Sequence, residues 1–249
     1  MASKVLVVTG GGRGIGAATA RLAASRGYAV CVNYVSDRAA AEGVVADIGR
    51  GGGKAIAVAA DVSSEPDVVR LFETVDRQLG RLDALVNNAG TVGKQMRLEQ
   101  MDAARLARVF AVNVTGSFLC AREAVRRMST KHGGRGGAIV NVSSAAARLG
   151  SPNEYVDYAA TKGALDTMTI GLAQEVAAEG IRVNGVRAGF IYTEFHALGG
   201  EPGRVDRVKQ NVPLKRGGQP EEVANAILWL LSDEASFTTG GFVDVAGGR

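Results

Sequence analysis

The sequence predicts a single-domain α/β protein built on a doubly wound parallel sheet. Two observations carry this prediction. Short β-branched runs alternate with helical patterns from one end of the chain to the other, and a glycine-rich turn directly follows the first run. Strands that alternate with helices are typical of a parallel sheet with helices on both faces. The 249 residues, 46% of them hydrophobic, suffice for one large core, so we expect one domain over residues 1–249.

Seven runs are rich in the β-branched and apolar residues that favour strands. In chain order they are Val5–Thr9, Tyr28–Tyr34, Ala55–Ala60, Ala84–Asn87, Ala138–Val142, Arg182–Val186 and Gly241–Val245. Six segments repeat apolar residues at helical spacing. In chain order they are Ala17–Ser25, Ala39–Ile48, Pro66–Leu79, Ala103–Met128, Tyr155–Ala178 and Pro220–Leu231. Two of these helices begin with a proline and acids in the first turn, which is typical of helix starts.

The segment Tyr192–Pro213 has no clean period and follows the sixth strand. Open parallel sheets bind ligands beyond the carboxyl ends of their strands, so an irregular segment there suits a lid. A variable surface loop is the alternative. We carry forward a substrate-covering loop over about residues 190–214 as the prediction.

The turn after the first strand reads Thr9-Gly10-Gly11-Gly12-Arg13-Gly14-Ile15-Gly16. Its glycines permit a tight turn and close approach of the backbone to a pyrophosphate, and the helix that follows offers free N–H groups to the anion. No Walker lysine follows, which disfavours a P-loop. The turn therefore predicts a Rossmann-type dinucleotide site, formed by Gly10, Arg13, Gly14, Ile15 and Gly16.

The end of the second strand bears on the choice of cofactor. An acid at this point accepts from a ribose hydroxyl and repels a 2′-phosphate. The chain has Tyr34 here and no acid before Asp37, while Arg13 and Arg38 can offer a guanidinium fork to a phosphate. We therefore predict NADP(H) as the preferred cofactor, with NAD(H) as the alternative.

Asp61 directly follows the third strand. Its carboxylate is placed to accept a hydrogen bond from the adenine amino group. The alternative is that Asp61 caps the helix that follows, through Ser63 and Ser64.

Tyr158 and Lys162 lie four residues apart in a helical pattern. Four residues make about one turn, so the phenol and the ammonium share a face. A nearby ammonium favours the phenolate, and we expect Lys162 to lower the pKa of Tyr158 toward neutrality. Such a phenol is a general acid/base. An apolar stripe predicts the packed side of the same helix, at Ala160, Ala164, Met168, Leu172 and Val176.

Five motifs follow one another along the chain. They are Thr9-Gly10-x-x-x-Gly14-Ile15-Gly16, Asn87-Asn88-Ala89-Gly90, Asn113, Ser143-Ser144 and Tyr158-x-x-x-Lys162. In order and spacing they resemble the short-chain dehydrogenase/reductase family over essentially the full length. The sequence looks most similar to the branch that holds 3-oxoacyl carrier-protein reductases and glucose 1-dehydrogenases.

The resemblance implies four catalytic residues. Tyr158 would exchange a proton with the substrate. Lys162 would lower the pKa of Tyr158 and bind the nicotinamide ribose. Ser144 would hydrogen-bond the substrate carbonyl, and Asn113 would support a proton relay. A hydride would then pass between NADP(H) and a carbonyl or secondary alcohol. The implied cofactor contacts also include Tyr34, Val62, Asn88, Ala89, Gly90, Gly189, Ile191 and Thr193.

Two positions depart from the family pattern. Relatives often have the serine thirteen residues before the tyrosine, whereas Ser144 lies fourteen and Ser143 fifteen residues before Tyr158. We favour Ser144 and keep Ser143 as the alternative. Ala188 precedes Gly189 where relatives usually have proline, which frees the backbone close to the nicotinamide.

Three other side chains bear on the site. Asn113 lies inside the helical pattern Ala103–Met128, although asparagine is a poor helix former, and such conflicts are more often functional than accidental. Tyr155 has no cation four residues on to tune its pKa, so we expect it in the substrate pocket or in the core. His196 is expected to line or cover the substrate pocket.

Composition excludes several classes of protein. The net charge is +4, but the basic residues are spread along the chain, which argues against nucleic-acid binding. No window approaches the roughly 20 apolar residues of a membrane span. Met1–Lys4 leads straight into the first strand without a signal peptide, so we expect a cytoplasmic protein. Cys31 and Cys120 lack metal-ligand spacing and are expected to be buried free thiols, with no metal site in the chain.

One dense basic cluster comprises Arg126, Arg127, Lys131 and Arg135. A solvated helix end explains it, because cations complement the carboxyl-terminal dipole. The alternative is an acidic partner or a phosphorylated substrate carrier. We therefore expect a small carbonyl or alcohol substrate, with a carrier-bound acyl group as a second option. The family resemblance also implies a homotetramer.

A second class of function stays open on the sequence. The chain could be a catalytically silent dinucleotide-binding protein that senses redox state or serves as an assembly subunit. The complete set of serine, tyrosine, lysine and asparagine argues against that reading, because a silent copy has no need of all four.

Overall fold

The computed structural model describes residues 3–249 of the chain; Met1 and Ala2, where the amino terminus without a signal peptide was expected, lie outside the described residues. The strands are β1 (Val5–Val8), β2 (Ala29–Tyr34), β3 (Ala55–Ala59), β4 (Leu82–Asn87), β5 (Gly137–Ser144), β6 (Ile181–Ala188) and β7 (Phe242–Val245). They form one parallel sheet in the order β3-β2-β1-β4-β5-β6-β7. The strand order reverses between β1 and β4, where ligands of such sheets bind.

Helices cover both faces of this sheet. They are α1 (Gly14–Ser25), α2 (Arg38–Arg50), α3 (Glu65–Gln78), α4 (Ala103–Phe110), α5 (Gly116–Met128), α6 (Ala146–Leu149), α7 (Val156–Val176), α8 (Phe195–Leu198), α9 (Arg204–Val208) and α10 (Pro220–Leu231). One apolar core packs α1, α2 and α10 on the sheet, and a second packs α3, α5 and α7 on the other face. The predicted doubly wound α/β fold is confirmed.

The predicted helix Ala103–Met128 is interrupted. Helix α4 ends at Phe110, a π-helical turn follows over Ala111–Thr115, and α5 begins at Gly116. Such turns insert one extra residue into a helix and often occur at functional sites. Asn113 lies in the middle of this turn, so the poor helix former that stood out in the sequence occupies the one irregular position.

The apolar stripe predicted along α7 is correct in the second half of the helix and wrong in the first. Met168 and Val176 are buried, but Ala160 is exposed. In the first half the buried side carries Thr161 and Lys162 instead. This end of α7 packs against the functional cleft, where polar side chains are buried because they have partners. A pattern of apolar residues cannot reveal that face.

The segment 190–214 is folded rather than extended. It contains α8, α9 and a single 3₁₀ turn, and it is tied to the chain that follows by a bridge between Ile191 and Gly218. The backbone N–H of Gly189, which precedes the segment, donates to the carbonyl of Val245 on β7. The segment therefore starts from the sheet itself, at the carboxyl end of β6.

Both cysteines are buried free thiols, on β2 and α5, as predicted. Within residues 3–249, no three side chains of histidine, cysteine, aspartate or glutamate come together in a way that could hold a metal ion. No helix of that part of the chain is both long enough and apolar enough to cross a membrane.

Candidate active site

A cleft of about 760 Å³ opens beyond the carboxyl ends of the strands. The glycine turn, the segment after β4, the end of β5, the start of α7 and the segment 190–214 all contribute to its walls. It brings together nearly all the predicted site residues: Gly10, Arg13, Gly14, Ile15, Tyr34, Asp61, Val62, Asn88, Ala89, Gly90, Ser144, Tyr158, Lys162, Gly189, Ile191 and Thr193. Gly16 and Asn113 lie just behind this wall.

The glycine turn is held in shape by two polar side chains, Asn33 on β2 and Asn88 just after β4. Gly10 has φ +60°, and its N–H donates to Oδ1 of Asn33 at 3.2 Å. The Asn88 amide donates to the carbonyls of Thr9 and Gly10 at 2.9 and 3.0 Å. A Cβ at Gly16 would contact the Gly10 carbonyl and lie 2.6 Å from Nδ2 of Asn88. Gly16 is therefore required for packing of α1 against the turn.

Sequence reasoning overlooked Asn33 and a further support, Thr9. The Thr9 hydroxyl accepts from the backbone N–H groups of Asn88 and Ala89 at 2.9 and 3.0 Å. It thereby fixes the segment after β4 against the glycine turn. The signal in the sequence was a polar residue, Thr9 or Asn33, directly after an apolar run. Such residues are buried with the strand and need hydrogen-bond partners.

The amino terminus of α1 suits a pyrophosphate. Arg13 stands at the N-cap position and its side chain makes no capping hydrogen bond, so the first N–H groups of the helix are left for an anion. Gly14, with φ +50°, brings the backbone against Thr193, whose methyl carbon would lie 3.0 Å from a Cβ at this glycine. These features fit the phosphates of a dinucleotide.

The two arginines considered for a 2′-phosphate differ in position. Arg13 lines the cleft and forms an exposed ion pair with Asp37, at 3.7 Å between Nη1 and Oδ2. Arg38 lies outside the cleft wall and pairs with Glu42 at 2.7 Å. Of these two arginines, only Arg13 lines the cleft.

Asp61 both lines the cleft and orders the chain after β3. Its Oδ1 accepts from the backbone N–H and from the hydroxyl of Ser63, at 2.9 and 2.7 Å. Ser64 is the N-cap residue of α3, and its side chain makes no capping hydrogen bond. Asp61 therefore orders the turn at Ser63, which precedes the N-cap, and does not cap α3 itself, so the helix-capping alternative is wrong. Asp61 remains in the cleft wall.

Tyr158, Lys162 and Ser144 meet at the floor of the cleft. The Lys162 ammonium donates to the carbonyl of Val142 at 2.7 Å and lies 5.6 Å from the centre of the Tyr158 ring. Ser144 lies beside the phenol and lowers its pKa. The Ser144 hydroxyl donates to the carbonyl of Ala188 at 3.3 Å and accepts from the N–H of Ala146 at 3.1 Å. Ser143 is turned the other way, with its buried hydroxyl donating to the backbone carbonyl of Lys162 at 3.3 Å. Of the two serines, the structure places Ser144 beside the phenol.

Burial opposes ionisation of both members of the pair. It raises the pKa of Tyr158 to about 12, and the neighbouring Ser144 side chain offsets this only in part. It also lowers the pKa of Lys162 to about 8, against the attraction of Asp166 one turn along α7. The expectation that Lys162 lowers the Tyr158 pKa toward neutrality is therefore wrong for the protein without a cofactor. Burial disfavours both the phenolate of Tyr158 and the ammonium of Lys162.

Asn113 connects three segments around this pair. Its Oδ1 accepts from the N–H of Thr91 at 2.7 Å, and its amide donates to the carbonyl of Thr91 at 2.9 Å and to the hydroxyl of Thr161 at 3.0 Å. The Asn113 backbone carbonyl accepts from the hydroxyl of Ser117 at 3.0 Å. The completely buried side chain therefore positions the segment after β4 and the start of α7.

The segment 190–214 supplies the far wall of the cleft. The Phe195 ring lies 5.6 Å from the Tyr158 ring, and Nε2 of His196 is 3.0 Å from the carbonyl of Ile191. A carbonyl can only accept, so Nε2 carries the proton, and burial lowers the pKa of His196 and keeps it neutral. Tyr155 lines the same wall as expected, and its hydroxyl donates to the carbonyl of Gly199 at 3.4 Å. Sequence reasoning overlooked Phe190, Phe195, Leu198 and Arg204 in this wall.

The basic cluster at the end of α5 is largely neutralised. The buried Glu123 carboxylate accepts from Arg126 and Arg127, each at 2.8 Å, and Lys131 pairs with Glu179 at 2.7 Å. These contacts favour the expected structural explanation over an exposed acidic-partner surface.

Comparison with known proteins agrees with this geometry. A family model described as Enoyl-(Acyl carrier protein) reductase matches residues 10–249. The chain belongs to the short-chain dehydrogenase/reductase family. The match spans every motif named above, from the glycine turn to the carboxyl-terminal strand.

Short-chain dehydrogenase/reductase relatives align along nearly the whole chain. An uncharacterized oxidoreductase of Escherichia coli (strain K12), YgfF, is 62% identical to this chain. The alignment covers 98% of this chain and 99% of the relative. A 3-oxoacyl-[acyl-carrier-protein] reductase of Synechocystis is 40% identical, with 100% of this chain and 97% of the relative covered. Glucose 1-dehydrogenase 2 of Bacillus subtilis is 39% identical, with 100% and 95% covered.

A solved short-chain dehydrogenase/reductase structure shows the same architecture. The crystal structure of a dehydrogenase/reductase from Sinorhizobium meliloti superposes with a TM-score of 0.91 at 32% identity, covering 100% of this chain and 95% of that one. The predicted resemblance, including the branch of oxoacyl reductases and glucose dehydrogenases, is confirmed, and so is the prediction of a dehydrogenase/reductase enzyme. The family uses nicotinamide cofactors and acts on small molecules.

Proposed function

We propose that the protein transfers a hydride between NADP(H) and a ketone or secondary alcohol, with Tyr158 as the acid/base. One observation carries the proposal: the Tyr158 phenol and the neighbouring Ser144 line the same cleft as the glycine turn and the amino terminus of α1. The site for the hydride-donating cofactor and the proton-donating phenol thus line the same cleft. The fit of the turn to a pyrophosphate supports the cofactor assignment.

Each side chain has a definite part in this proposal. The dinucleotide, when bound, supplies the hydride in reduction and accepts it in oxidation. Ser144 orients the substrate oxygen beside the phenol, and Tyr158 donates its proton to that oxygen during reduction. Lys162, held by the Val142 carbonyl, supports the phenolate that remains. Asn113 positions the start of α7 rather than contacting the phenol.

A panel of ketones with NADPH, and of the matching alcohols with NADP⁺, tests the proposal across pH 6–10. Because burial raises the Tyr158 pKa, the phenol is protonated and ready for reduction, so the reduction rate should vary little below about pH 8 and fall above it, where Lys162 loses its proton. Oxidation needs the phenolate and should rise by up to about tenfold per pH unit below that pKa. Cofactor binding without turnover of any substrate would instead support the silent sensor or assembly subunit.

We infer a preference for NADP(H) over NAD(H) from the place of Arg13 on the cleft wall near the end of β2. Asp37 is the N-cap residue of α2, and its carboxylate accepts from the N–H of Ala40. The same carboxylate forms the ion pair with the Arg13 guanidinium. A 2′-phosphate would take a charge-assisted hydrogen bond from Arg13, in competition with Asp37.

Arg13→Ala should lower kcat/KM with NADPH by about tenfold or more and leave NADH nearly unaffected. A charge-assisted hydrogen bond contributes about 1.5–3 kcal/mol, and about 1.4 kcal/mol corresponds to a factor of ten. Arg38→Ala is the matched control, because it removes a neighbouring guanidinium that pairs outside the cleft. An equal fall with both cofactors, or a wild-type preference for NADH, would contradict the assignment.

The remaining expectations stay predictions. A homotetramer is supported by large apolar side chains that are exposed on the long helices, Phe118 on α5 and Ile170 on α7. A cytoplasmic location and a carrier-bound acyl substrate rest on the sequence and on the names of relatives. The extent of the substrate-covering loop rests on the residues of 190–214 that line the cleft.

A further inference from the structure

One end of the cleft holds an arginine whose hydrogen bonding is incomplete. Arg204 on α9 is only 6% exposed and lines the cleft. Its Nη2 donates to Glu154 at 2.5 Å, but its Nη1 is buried with no hydrogen-bond partner in residues 3–249. The nearest carboxylate to Nη1 belongs to Glu201, at 3.6 Å. A buried donor without an acceptor is costly, so such a group calls for an explanation.

The surroundings fix the direction of this guanidinium. Its carbon lies 4.9 Å from the centre of the Tyr155 ring and 5.5 Å from that of Phe190. Cation–π contact with two rings holds the planar fork in place. Tyr155 begins the helix that carries Tyr158 one turn later, so the fork and the phenol belong to neighbouring walls of one cavity.

A second guanidinium approaches the same ring. The carbon of Arg249 lies 5.5 Å from the centre of Phe190, and Arg249 also lines the cleft. Within residues 3–249, no aspartate or glutamate forms an ion pair with the Arg249 side chain. Two arginines therefore flank one aromatic ring on the substrate side of the cleft.

Guanidinium groups outnumber carboxylate side chains at this end of the cleft. Glu154 and Glu201 are shared by Arg204 and by its neighbour Arg207, which gives two carboxylates for two guanidinium groups. Arg249 adds one more cation at this end. Acids of the cleft wall lie elsewhere: Asp37 faces Arg13, Asp61 follows β3, and the remaining one, Glu194, lies near the glycine turn, with its Oε2 3.9 Å from a Cβ at Gly14.

We propose that Arg204 and Arg249 bind a carboxylate of the substrate, so that the preferred substrates are oxo acids and the matching hydroxy acids. A carboxylate oxygen would supply the acceptor that Nη1 of Arg204 lacks and would balance the charge of Arg249. Phe190, Phe195 and Leu198 would pack on the carbon chain between the carboxylate and the reacting carbonyl. This inference rests on the proposed ketone reductase function and names its substrate class.

The test uses oxo acids with two to five carbons between ketone and carboxylate, each paired with its methyl ester. With wild type, we expect kcat/KM for the best acid to exceed that of its ester by about tenfold or more, through KM. Arg249→Gln and Arg204→Lys should each remove most of this difference by raising KM for the acid more than KM for the ester. Arg216→Gln is the matched control, since Arg216 pairs with Glu222 and lies outside the cleft wall.

Binding of hexanoate in the presence of NADP⁺, measured by calorimetry, gives a readout without turnover. Hexanoate should bind wild type and the Arg216→Gln variant similarly, and Arg249→Gln about tenfold more weakly. Equal turnover of acid and ester, or hexanoate binding that ignores Arg249→Gln, would overturn the inference and leave the reductase function intact. Hexanoate binding as expected, without reduction of any ketone in the series, would overturn the proposed function while keeping the carboxylate site.

Discussion

Tyr158→Phe is expected to lower ketone reduction by about 10²- to 10⁴-fold, the usual contribution of a positioned general acid. The substitution removes the hydroxyl that carries the transferred proton and keeps the ring that packs against Phe195. Helix α7 and the cofactor surface should therefore stay in place. Steady-state reduction with NADPH measures the loss, and quenching or enhancement of NADPH fluorescence on titration checks that the cofactor still binds.

Tyr192→Phe provides the matched control for this variant. Tyr192 lies on the same segment that covers the cleft, but its hydroxyl bonds Asp206 at 3.0 Å and its side chain is outside the cleft wall. Loss of that phenol should leave turnover within about threefold, as expected for an exposed hydrogen bond. Substantial activity in Tyr158→Phe, with NADPH bound normally, would remove Tyr158 from the chemistry and point to another proton donor.

Asp157→Asn should destabilise the fold by about 3–5 kcal/mol, because it leaves a buried guanidinium without its countercharge. The Asp157 carboxylate is completely buried and binds Arg105 through both oxygens, at 2.7 and 3.1 Å. This pair joins α4 to the first turn of α7, directly beside Tyr158. Urea denaturation followed by circular dichroism measures the change in the free energy of unfolding.

Glu42→Gln is the control for that experiment. It breaks the exposed ion pair between Arg38 and Glu42, which lie one turn apart on α2. This loss should lower the free energy of unfolding by at most about 1 kcal/mol. If Asp157→Asn were no more destabilising than this control, the pair with Arg105 would not be a principal link between α4 and α7. The start of α7 would then be positioned chiefly by Asn113 through Thr161.

Much of the fold was predictable because it depends on local pattern. All seven strands occur where β-branched runs stood in the sequence, and Pro220 and Leu231 bound the last helix as predicted. The errors also have local causes. The π-helical turn around Asn113 interrupts a helix that apolar spacing made continuous. The exposed Ala160 shows that an apolar stripe does not identify the packed face where polar groups are buried with partners.

The candidate site was predictable where a sequence motif contains both a site residue and the residue that lies beside it in the fold. The glycine turn, the segment after β4 and the pair of Tyr158 and Lys162 all line one cleft. The supports from Thr9 and Asn33, and the lining by Arg204, were overlooked. Their partners lie on distant segments, so the sequence spacing around each residue carries little sign of the contact.

The sequence by itself determined the order of strands and helices along the chain, and it predicted the dinucleotide turn and the proposed acid/base pair, because these depend on residue type and on spacing along the chain. The tertiary structure decided the rest. It turned Ser144 rather than Ser143 toward the phenol, raised the pKa of Tyr158 through burial, and left Nη1 of Arg204 without an acceptor. Side-chain direction, burial and unmet hydrogen bonds all arise from segments that meet only in the folded chain, and spacing along the sequence cannot encode them.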